Sequence, residues 1–471
     1  MASGWIITLA LINAYILVLV WLARTGRMEK WNLSLMLGFV LMIRTGRGRK
    51  ALEVIARPKR LWNLFGDLGV VVSLLGMLAM TALMLVILPT VLDPQSGVTP
   101  LTAKEILVIP GVNPFVPLWY GIIALVVTLV VHEGGHGILS LANKMRVKSL
   151  GLLVAVIPIG AFVEPDEDDL MKSPRRSRLR VYAAGPAVNF AVGFLVLGVM
   201  MGTAVAMEPT EGAPVWSISE GGPAMQAGMK PNTLLVDADG VPLADWDDFM
   251  EAVQQHAPGD SMLFTDAGGA TYNVTLGNRW DAFNEPAQTA ILDRTPEGDA
   301  TCDAYFAPDN DRYGDDCADA LQRAPLVGVS AFSTELYKGV LADPFQSGGH
   351  FITLTFLPLG EVRGQPILSS MPHFFDTPFA AEAYWPLVNV LFWVFWVNLM
   401  VGLTNILPML PLDGGHLFRD AFAGVMEKVR PKMEKAKQDR IVGRVAGGLS
   451  LVILIAFLLQ IFGPRIAQAF G

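Results

Sequence analysis

The stretch Val131-His132-Glu133-Gly134-Gly135-His136-Gly137 lies at the end of an apolar run. No charged residue occurs between Ile106 and Val131, so a helix that carries the two histidines is long enough to cross a bilayer. An acidic side chain at membrane depth costs about 2.5–3.5 kcal/mol on insertion scales, and such groups therefore indicate a function. A metal site inside a membrane is the first hypothesis.

The spacing of the two histidines suits this chemistry. Residues four apart stack on one face of an α-helix, so His132 and His136 can present two imidazoles to one Zn²⁺, with Glu133 beside them as a general base. Two histidines on a helix surface are the alternative. Gly134 and Gly135 each cost about 1 kcal/mol in a helix relative to alanine, so we expect them to permit close packing or substrate approach.

Composition indicates a polytopic membrane protein with a substantial soluble portion, because 52% of the 471 residues are hydrophobic and 17% are charged. Six uncharged stretches are long enough to span: Trp5–Ala23, Leu68–Leu92, Ile106–Val131 extended through the HExxH turn, Val181–Met207, Ala383–Leu412 and Val445–Pro464. The first has no basic region before it, and we interpret it as a retained span. Leu33–Ile43 is too short to span and predicts a surface helix or a buried half-turn.

Charge is divided between two compartments. The segment from Glu208 to Ala383 holds 27 acidic and 7 basic side chains, although the net charge of the chain is only −8. Basic residues are concentrated in three other loops, Arg24–Arg60, Lys144–Arg180 and Lys428–Arg444. The positive-inside rule places these loops in the cytoplasm. Counting spans then places the acidic segment outside.

The apolar stretch Ser149–Val163 follows the histidine helix and is rich in β-branched residues and glycine. It predicts two short strands that turn near Pro158, because proline disfavours a helix through its middle. Non-helical backbone cannot face lipid, so the stretch must be buried in protein or line a cavity. There its free edge could pair with an extended substrate. A plain buried loop is the alternative.

The segment Ala213–Gly277 alternates β-rich runs with two helical patterns. Its string Gly222-Pro223-Ala224-Met225-Gln226-Ala227-Gly228-Met229, followed by Leu234 to Gly240, resembles a PDZ domain, with Pro231-Asn232-Thr233 in place of the usual glycine–aspartate. The resemblance implies a groove that holds a peptide tail by β-augmentation. A structural spacer is the alternative.

Two imidazoles do not complete a catalytic zinc site, which needs three protein ligands and a water. Asp413 is the best third candidate, because it ends the fifth apolar stretch on the membrane side where the topology places His132 and His136. His416 follows three residues later and is either a support for the site or a solvated boundary residue.

Three motifs together resemble the site-2 protease family of intramembrane zinc metalloproteases. They are His132–His136, the string Gly185-Pro186-Ala187-Val188-Asn189, and Asn405 through Gly414. The similarity extends from about Leu118 to Asp420 and includes the PDZ-like insert.

This resemblance implies a role for each site residue. His132, His136 and Asp413 would bind one Zn²⁺ per chain, and Glu133 would activate water. Asn189 and Asn405 would contact the substrate backbone or the tetrahedral oxyanion. Ser149–Val163 would be a membrane re-entrant β-hairpin that receives the unwound substrate.

We therefore expect a zinc-dependent endopeptidase that hydrolyses peptide bonds within or near transmembrane segments. Its expected partners are single-pass membrane protein substrates and the lipid bilayer, with no nucleic acid. Two alternatives stay open. A membrane-anchored zincin acting on soluble or lipidated substrates generally takes its third ligand from a glutamate on a later helix, and a non-catalytic zinc-binding membrane protein would not need Glu133.

The predicted architecture is a polytopic α-helical membrane protein with about six transmembrane helices, a re-entrant β-hairpin and an extracytoplasmic PDZ-like α+β domain. Its predicted regions are N-terminal helices with a basic cytoplasmic loop (1–105), the HExxH helix, hairpin and following span (106–207), the PDZ-like domain (208–280), an acidic extracytoplasmic region (281–382), and the Asp413-bearing span with the last helix (383–471). Cys302 and Cys317 could form one disulfide in the acidic region or remain free thiols. The acidic surplus suggests a high-salt habitat, hence the plasma membrane of an archaeon first and of a bacterium second.

Overall fold

The computed structural model describes residues 2–36, 38–46, 48–94, 110, 113, 116–155, 157–293, 295, 298, 302, 317–359 and 372–470. The chain divides into two compact units. The first comprises Met1–Met200, Pro358–Pro366 and Asn389–Gly471, and the second Met201–Leu357 and Ile367–Val388. The start of the predicted third span (106–109) and most of the acidic stretch around the cysteines lie outside the described residues.

The chain begins with the elements that surround the two histidines. They are α1 (Ala2–Arg24), α2 (Arg27–Lys30), β1 (Leu33–Met36), β2 (Val40–Thr45), α3 (Arg49–Ile55), α4 (Lys59–Leu92), α5 (Leu118–Ala142), β3 (Val147–Ala155), β4 (Ile157–Pro165), α6 (Glu167–Lys172), α7 (Arg175–Tyr182) and α8 (Ala184–Ala204).

The middle of the chain consists of short elements. They are β5 (Glu208–Pro209), β6 (Ala213–Ile218), α9 (Pro223–Gln226), β7 (Thr233–Ala238), β8 (Val241–Pro242), α10 (Trp246–Gln254), β9 (Ser261–Asp266), β10 (Thr271–Thr275), β11 (Gly277–Asn278), α11 (Glu285–Leu292), α12 (Cys317–Arg323), β12 (Pro325–Leu326), β13 (Val329–Ala331), α13 (Thr334–Ala342), α14 (Gly348–Phe356) and β14 (Phe375–Asp376). The chain ends with α15 (Ala381–Asn405), α16 (Asp413–Val429) and α17 (Lys435–Phe470).

Five described helices are long and apolar enough to cross a membrane, as expected for a polytopic membrane protein. They are Lys59–Leu92, Leu118–Ala142, Ala184–Ala204, Ala381–Asn405 and the Lys435–Ala467 part of α17. Each overlaps one of the predicted spans. The other predicted span, Trp5–Ala23, falls within α1.

A four-stranded antiparallel sheet in the first unit has the order β1-β2-β3-β4. The prediction of a helix or half-turn over Leu33–Ile43 was wrong, because this segment supplies β1 and most of β2. Gly38, at φ +81°, lies between the two strands, and β2 pairs with β3 from Leu41 opposite Val154 to Thr45 opposite Leu150. Pairing with the hairpin explains why Leu33–Ile43 forms strands, because a short apolar run has no strong preference of its own for helix or strand.

The predicted hairpin is present as β3 and β4. Ala155 pairs with Ile157, and Pro158 lies opposite Val154. Because β4 ends the sheet order, Pro158 stands in an edge strand, where proline is tolerated. The other edge of the hairpin is already occupied by β2.

Asp413 does not end a membrane span, contrary to the prediction. Helix α15 ends at Asn405, and Asp413 is the first residue of α16. Pro408 and Pro411 lie between them, and proline cannot continue a helix because it lacks the N–H and clashes with the preceding turn. The third candidate ligand is therefore presented by the start of a separate helix.

The second unit is built on a six-stranded sheet with the order β10-β9-β7-β6-β13, and β8 pairs with β7. Helix α10 contributes Phe249 and Val253 to the hydrophobic core of this unit, which also contains Met262 and Phe264 of β9. The predicted boundary at residue 280 does not separate two domains here, because β13 (329–331) belongs to the same sheet and Val327 to the same core. The strand comes from beyond the acidic stretch, which local patterns do not reveal.

Cys302 and Cys317 form a disulfide. The pair packs with Ile291 and Leu321, which are both buried. Of the two possibilities left open by the sequence, the bonded one is present.

Candidate metal centre

Helix α5 presents His132 and His136 on one face. Their Nε2 atoms are 3.4 Å apart and their ring centroids 5.0 Å apart. His132 is 7% exposed, so this pair lies inside the protein. The predicted i, i+4 arrangement is therefore present and points inward.

Asp413 completes a triangle with the two imidazoles. Its Oδ2 lies 3.1 Å from His132 Nε2 and 3.2 Å from His136 Nε2. Zinc ligands at about 2.0–2.2 Å in a tetrahedron lie roughly 3.3 Å from one another. The three side chains thus fit one zinc ion with a fourth position left for water. Among the described residues, this is the group of histidine, cysteine and acidic side chains that could hold a metal.

Ionisation of Asp413 suits this role. Burial alone raises the pKa of its carboxyl, but the two imidazoles beside it lower that pKa below its ordinary value. The side chain is therefore a carboxylate at neutral pH and supplies the one negative charge of the group.

Both imidazoles are oriented through their Nδ1 atoms. His136 Nδ1 lies 2.8 Å from the carbonyl oxygen of Val181, at the end of α7. His132 Nδ1 lies 3.0 Å from the amide nitrogen of Asn189 in α8. Each contact leaves Nε2 facing the other ligands. The family resemblance predicted that Asn189 contacts the substrate, whereas its side chain lies against a candidate ligand.

Helices α5 and α8 approach each other closely because glycine occupies the contact positions. A Cβ at Gly185 would lie 2.4 Å from His132 Cε1 and 2.6 Å from His136 Nε2. A Cβ at Gly135 would lie 3.0 Å from the Ala184 carbonyl oxygen. At Gly134 a Cβ would meet nothing within 4 Å. Close packing therefore accounts for Gly135, but not for Gly134.

A second pair of glycines, Gly414 and Gly415, lies in the first turn of α16. A Cβ at Gly414 would lie 2.3 Å from the Ile406 carbonyl oxygen, and one at Gly415 would lie 2.6 Å from the Leu410 nitrogen. The first turn of α16 can therefore fold back on the segment that follows α15. This contact places Asp413 beside α5.

Glu133 is bound to the hairpin. Its Oε2 accepts a hydrogen bond of 2.8 Å from the backbone N–H of Val163 in β4. Because Val163 pairs with Leu150 across the sheet and its N–H points to Glu133, that N–H lies on the outer edge of β4. The carboxylate is thereby fixed at the free edge of the sheet.

Asn405 and His416 lie outside the ligand triangle. Asn405 is half-buried, and its amide nitrogen donates to the Val401 carbonyl oxygen at 3.1 Å. The ring of His416 stacks on Tyr182 at 5.4 Å between centroids, and burial lowers the pKa of this histidine. His416 is therefore neither a ligand nor a fully solvated residue.

Ion pairs connect α7 to neighbouring helices. The sequence predicted only that these arginines belong to a basic loop. Arg178 binds Asp420 of α16 in a bidentate pair with distances of 2.6 and 3.0 Å. Arg180 binds Asp67 of α4 in the same way, with distances of 2.8 and 2.7 Å. One short helix thus orients His136 through Val181 and holds α16, which bears Asp413.

A cavity of about 960 Å³ lies beside the site. Residues Phe162 to Pro165 of β4 line one part of it, and His416 and Arg419 of α16 line another. Its lining contains several charged side chains, so the cavity is suited to water and polar peptide groups.

Comparison with known proteins identifies the family of the chain. A sequence profile described as Peptidase family M50 matches residues 120–453, which is more than half of the chain. The chain belongs to this peptidase family. The matched region contains both histidines, Asp413 and the hairpin. The predicted resemblance to site-2 proteases is confirmed, and the chain is a zinc-dependent intramembrane metalloprotease.

Three relatives illustrate the similarity. An uncharacterized protein of Methanocaldococcus jannaschii is 22% identical over 443 residues, 93% of this chain and 90% of that protein. Zinc metalloprotease Rip1 of Mycobacterium tuberculosis is 22% identical over 394 residues, 72% of this chain and 94% of the relative. A putative zinc metalloprotease of Neisseria meningitidis is 27% identical over 204 residues, 42% of this chain and 40% of the relative.

Substitution by alanine should have opposite effects at Gly185 and at Gly134. Gly185→Ala should lower the zinc content sharply, because the new methyl group would displace both imidazoles. Gly134→Ala should retain zinc and raise helix stability by about 1 kcal/mol, since it meets open space. Metal analysis and thermal unfolding of the purified variants check both expectations. Full zinc occupancy in Gly185→Ala would contradict this packing argument.

The Arg178–Asp420 pair should matter more than an exposed pair. Its side chains are 15% and 18% exposed, so breaking this partly buried pair should cost more than the roughly 1 kcal/mol or less of an exposed pair. Arg178→Met should therefore lower the unfolding temperature clearly and reduce zinc retention. Arg49→Met, which breaks the exposed pair with Glu53, is the matched control and should cost less than about 1 kcal/mol. Equal effects of the two substitutions would show that the α7–α16 pair has no special role.

Proposed function

We propose that the chain cleaves peptide bonds within or near transmembrane segments, with His132, His136 and Asp413 as zinc ligands and Glu133 as general base. One observation carries this proposal. Three ligand atoms from α5 and α16 meet within 3.1–3.4 Å of one another, at the end of a helix long enough to span a bilayer. The adjacent carboxylate of Glu133 supplies a proton acceptor.

Zinc in this site would lower the pKa of its water to about 7 and polarise the scissile carbonyl. Glu133 would take the water proton at its carboxylate and return it to the leaving amine. The hydrogen bond from Val163 holds one carboxylate oxygen of Glu133, which leaves the other for the water. The cavity beside β4 would admit that water.

Substrate would be held at the outer edge of β4. A transmembrane helix hides its carbonyls in its own hydrogen bonds, so it must unwind before it can be cut. An unwound segment can pair with an exposed strand, and β4 offers the free edge because β2 covers the other side of the hairpin. Asn405 would bind the substrate backbone or the developing oxyanion. Single-pass membrane proteins are the proposed substrates.

The proposed topology places the basic loops and the site on the cytoplasmic side, with α1 as a sixth span and the β3–β4 hairpin as a re-entrant element. The positive-inside rule supports this orientation. The Cys302–Cys317 disulfide supports an extracytoplasmic location for the acidic segment, since disulfides persist in oxidising compartments. The membrane would be the plasma membrane of an archaeon or a bacterium.

The second unit would act as a PDZ-like peptide-binding domain. Helix α10 packs beside β6 and β12, and β13 forms the last strand of the sheet in the described residues. Asn232, at φ 62°, adopts the left-handed conformation for which the motif usually has glycine. A peptide tail would add to β13 by β-augmentation.

The alternative of a zincin with a later glutamate ligand is less well supported by the contacts. Glu427, the one glutamate of α16, forms an ion pair of 2.7 Å with Arg175. Asp413 lies beside both imidazoles and would supply the third ligand instead. If the substrates were soluble or lipidated, the location of the site at the end of an apolar helix would need another explanation.

Two substitutions test the proposed function. Glu133→Gln should retain zinc but lose cleavage of a membrane-embedded reporter, because the amide cannot accept the proton. Asp413→Ala should lose both zinc and cleavage. Metal analysis and product formation in proteoliposomes give the two readouts. Equal product from wild type and Glu133→Gln would refute proteolysis by this site, and full zinc occupancy in Asp413→Ala would refute the ligand set.

The contact between Glu133 and Val163 yields a separate prediction. Val163→Pro removes the N–H on the outer edge without breaking a bond to β3. A hydrogen bond to a charged group contributes about 1.5–3 kcal/mol, so kcat should fall about 10- to 100-fold with zinc retained. Val163→Ala keeps the N–H and is the control. A rise in KM alone would instead mean that this N–H serves the substrate.

A further inference from the structure

Asn189 lies deep in the first unit. Its side chain is fully buried, and its amide nitrogen is 3.0 Å from His132 Nδ1. The amide oxygen Oδ1 is buried and has no hydrogen-bond partner in the described part of the chain. Leaving such an acceptor unsatisfied costs about 1–3 kcal/mol. This arrangement therefore needs an explanation.

The chemistry of the imidazole supplies one. A neutral imidazole carries one N–H, so a ring that gives its Nε2 lone pair to a metal must carry the proton on Nδ1. That Nδ1–H is a donor and requires an acceptor, which the nitrogen of an amide cannot be. The oxygen and nitrogen of an asparagine amide exchange places by a half-turn of the side chain. After that half-turn the orphaned oxygen accepts from Nδ1–H.

Building on the proposed function, we propose that Asn189 is a positioning residue that accepts a hydrogen bond from His132 Nδ1–H and so holds Nε2 toward the zinc position. The arrangement around His136 is parallel, because the Val181 carbonyl oxygen lies 2.8 Å from its Nδ1. Each imidazole would then have one oxygen acceptor behind it, one from a backbone and one from a side chain. Partners of this kind fix the tautomer and orientation of a metal-binding histidine.

This proposal gives Asn189 and Asn405 different roles, although the family resemblance implied a substrate-binding role for both. Asn189 is fully buried and already in contact with His132, so it is not accessible to a peptide. Asn405 is half-buried, and its contact is a bond to the Val401 carbonyl oxygen in its own helix. Asn405 therefore keeps the proposed substrate role, and Asn189 acts through His132.

The test compares zinc affinity among variants of the full-length protein in detergent, without substrate. Asn189→Leu keeps the volume but removes the acceptor, and it should weaken zinc binding about 10- to 100-fold in competition with a chelator. Asn189→Asp restores an acceptor and should bind zinc within a few-fold of wild type. The absorption spectrum of the Co²⁺-loaded protein should change in Asn189→Leu and stay close to wild type in Asn189→Asp.

Two controls separate this role from others. Asn398→Leu removes another fully buried asparagine, which bonds the Val394 carbonyl oxygen in its own helix, and it should leave zinc affinity unchanged. Asn405→Ala should also leave zinc affinity unchanged while impairing cleavage. If Asn189→Leu does not fold, Asn189→Ala gives the same comparison without added bulk.

The outcomes distinguish this inference from the proposed function. Unchanged zinc affinity in Asn189→Leu and Asn189→Ala, with cleavage lost, would overturn the positioning role and return Asn189 to the substrate. Equal weakening by Asn189→Asp and Asn189→Leu would also overturn it. Weakened zinc binding in a protein whose wild type cleaves no membrane reporter would support the positioning role and refute the proteolytic one.

Discussion

The site depends on one constraint: a carboxylate that starts one helix must lie within about 3.3 Å of two imidazoles on another. The observed separations of 3.1 and 3.2 Å meet this requirement. Flexible side chains alone cannot ensure such separations, so backbones must approach closely. Glycine at Gly135, Gly185 and Gly414 permits this approach, since a Cβ there would lie 3.0 Å or less from its nearest neighbour. Gly135, in the interior of α5, costs about 1 kcal/mol of helix stability, and the geometry of the site explains why that cost is tolerated.

Helix α7 connects the candidate ligands through polar contacts, whereas the glycines act by allowing backbones to approach closely. Its Val181 carbonyl orients His136, and its Arg178 binds Asp420, seven residues after Asp413 in α16. Bidentate arginine–carboxylate pairs fix direction as well as distance. The same eight-residue helix therefore sets the orientation of one ligand and restrains the helix that presents another. A change in its position would alter both halves of the metal group together.

The sequence predicted those parts of the site that depend on local regularity. The spacing of His132 and His136 requires only one helix, and the match in depth with Asp413 follows from counting spans. Other features depend on distant partners. The segment Leu33–Ile43 becomes strand because the edge of β3 is available to it, and β13 joins a sheet whose other strands end more than fifty residues earlier. The start of α16 at Asp413 could have been read from Pro408 and Pro411, which prevent a continuous helix. The contact of Asn189 with His132 had no local signal.

In the proposed function the hairpin would connect the chemistry with the recognition of substrate. Strand β2 covers one edge of the hairpin, so β4 is the strand of the hairpin with an edge that no other described strand covers. The N–H of Val163 on that same edge holds Glu133. Under the proposed function, a peptide paired with β4 and the carboxylate of Glu133 would both be positioned by this one strand. The distance between the scissile bond and Glu133 would then follow from the register of pairing and would not depend on the side chains of the peptide. In the proposed mechanism, substrates would be selected by their capacity to leave the helical state, since only an extended backbone can pair with a strand edge.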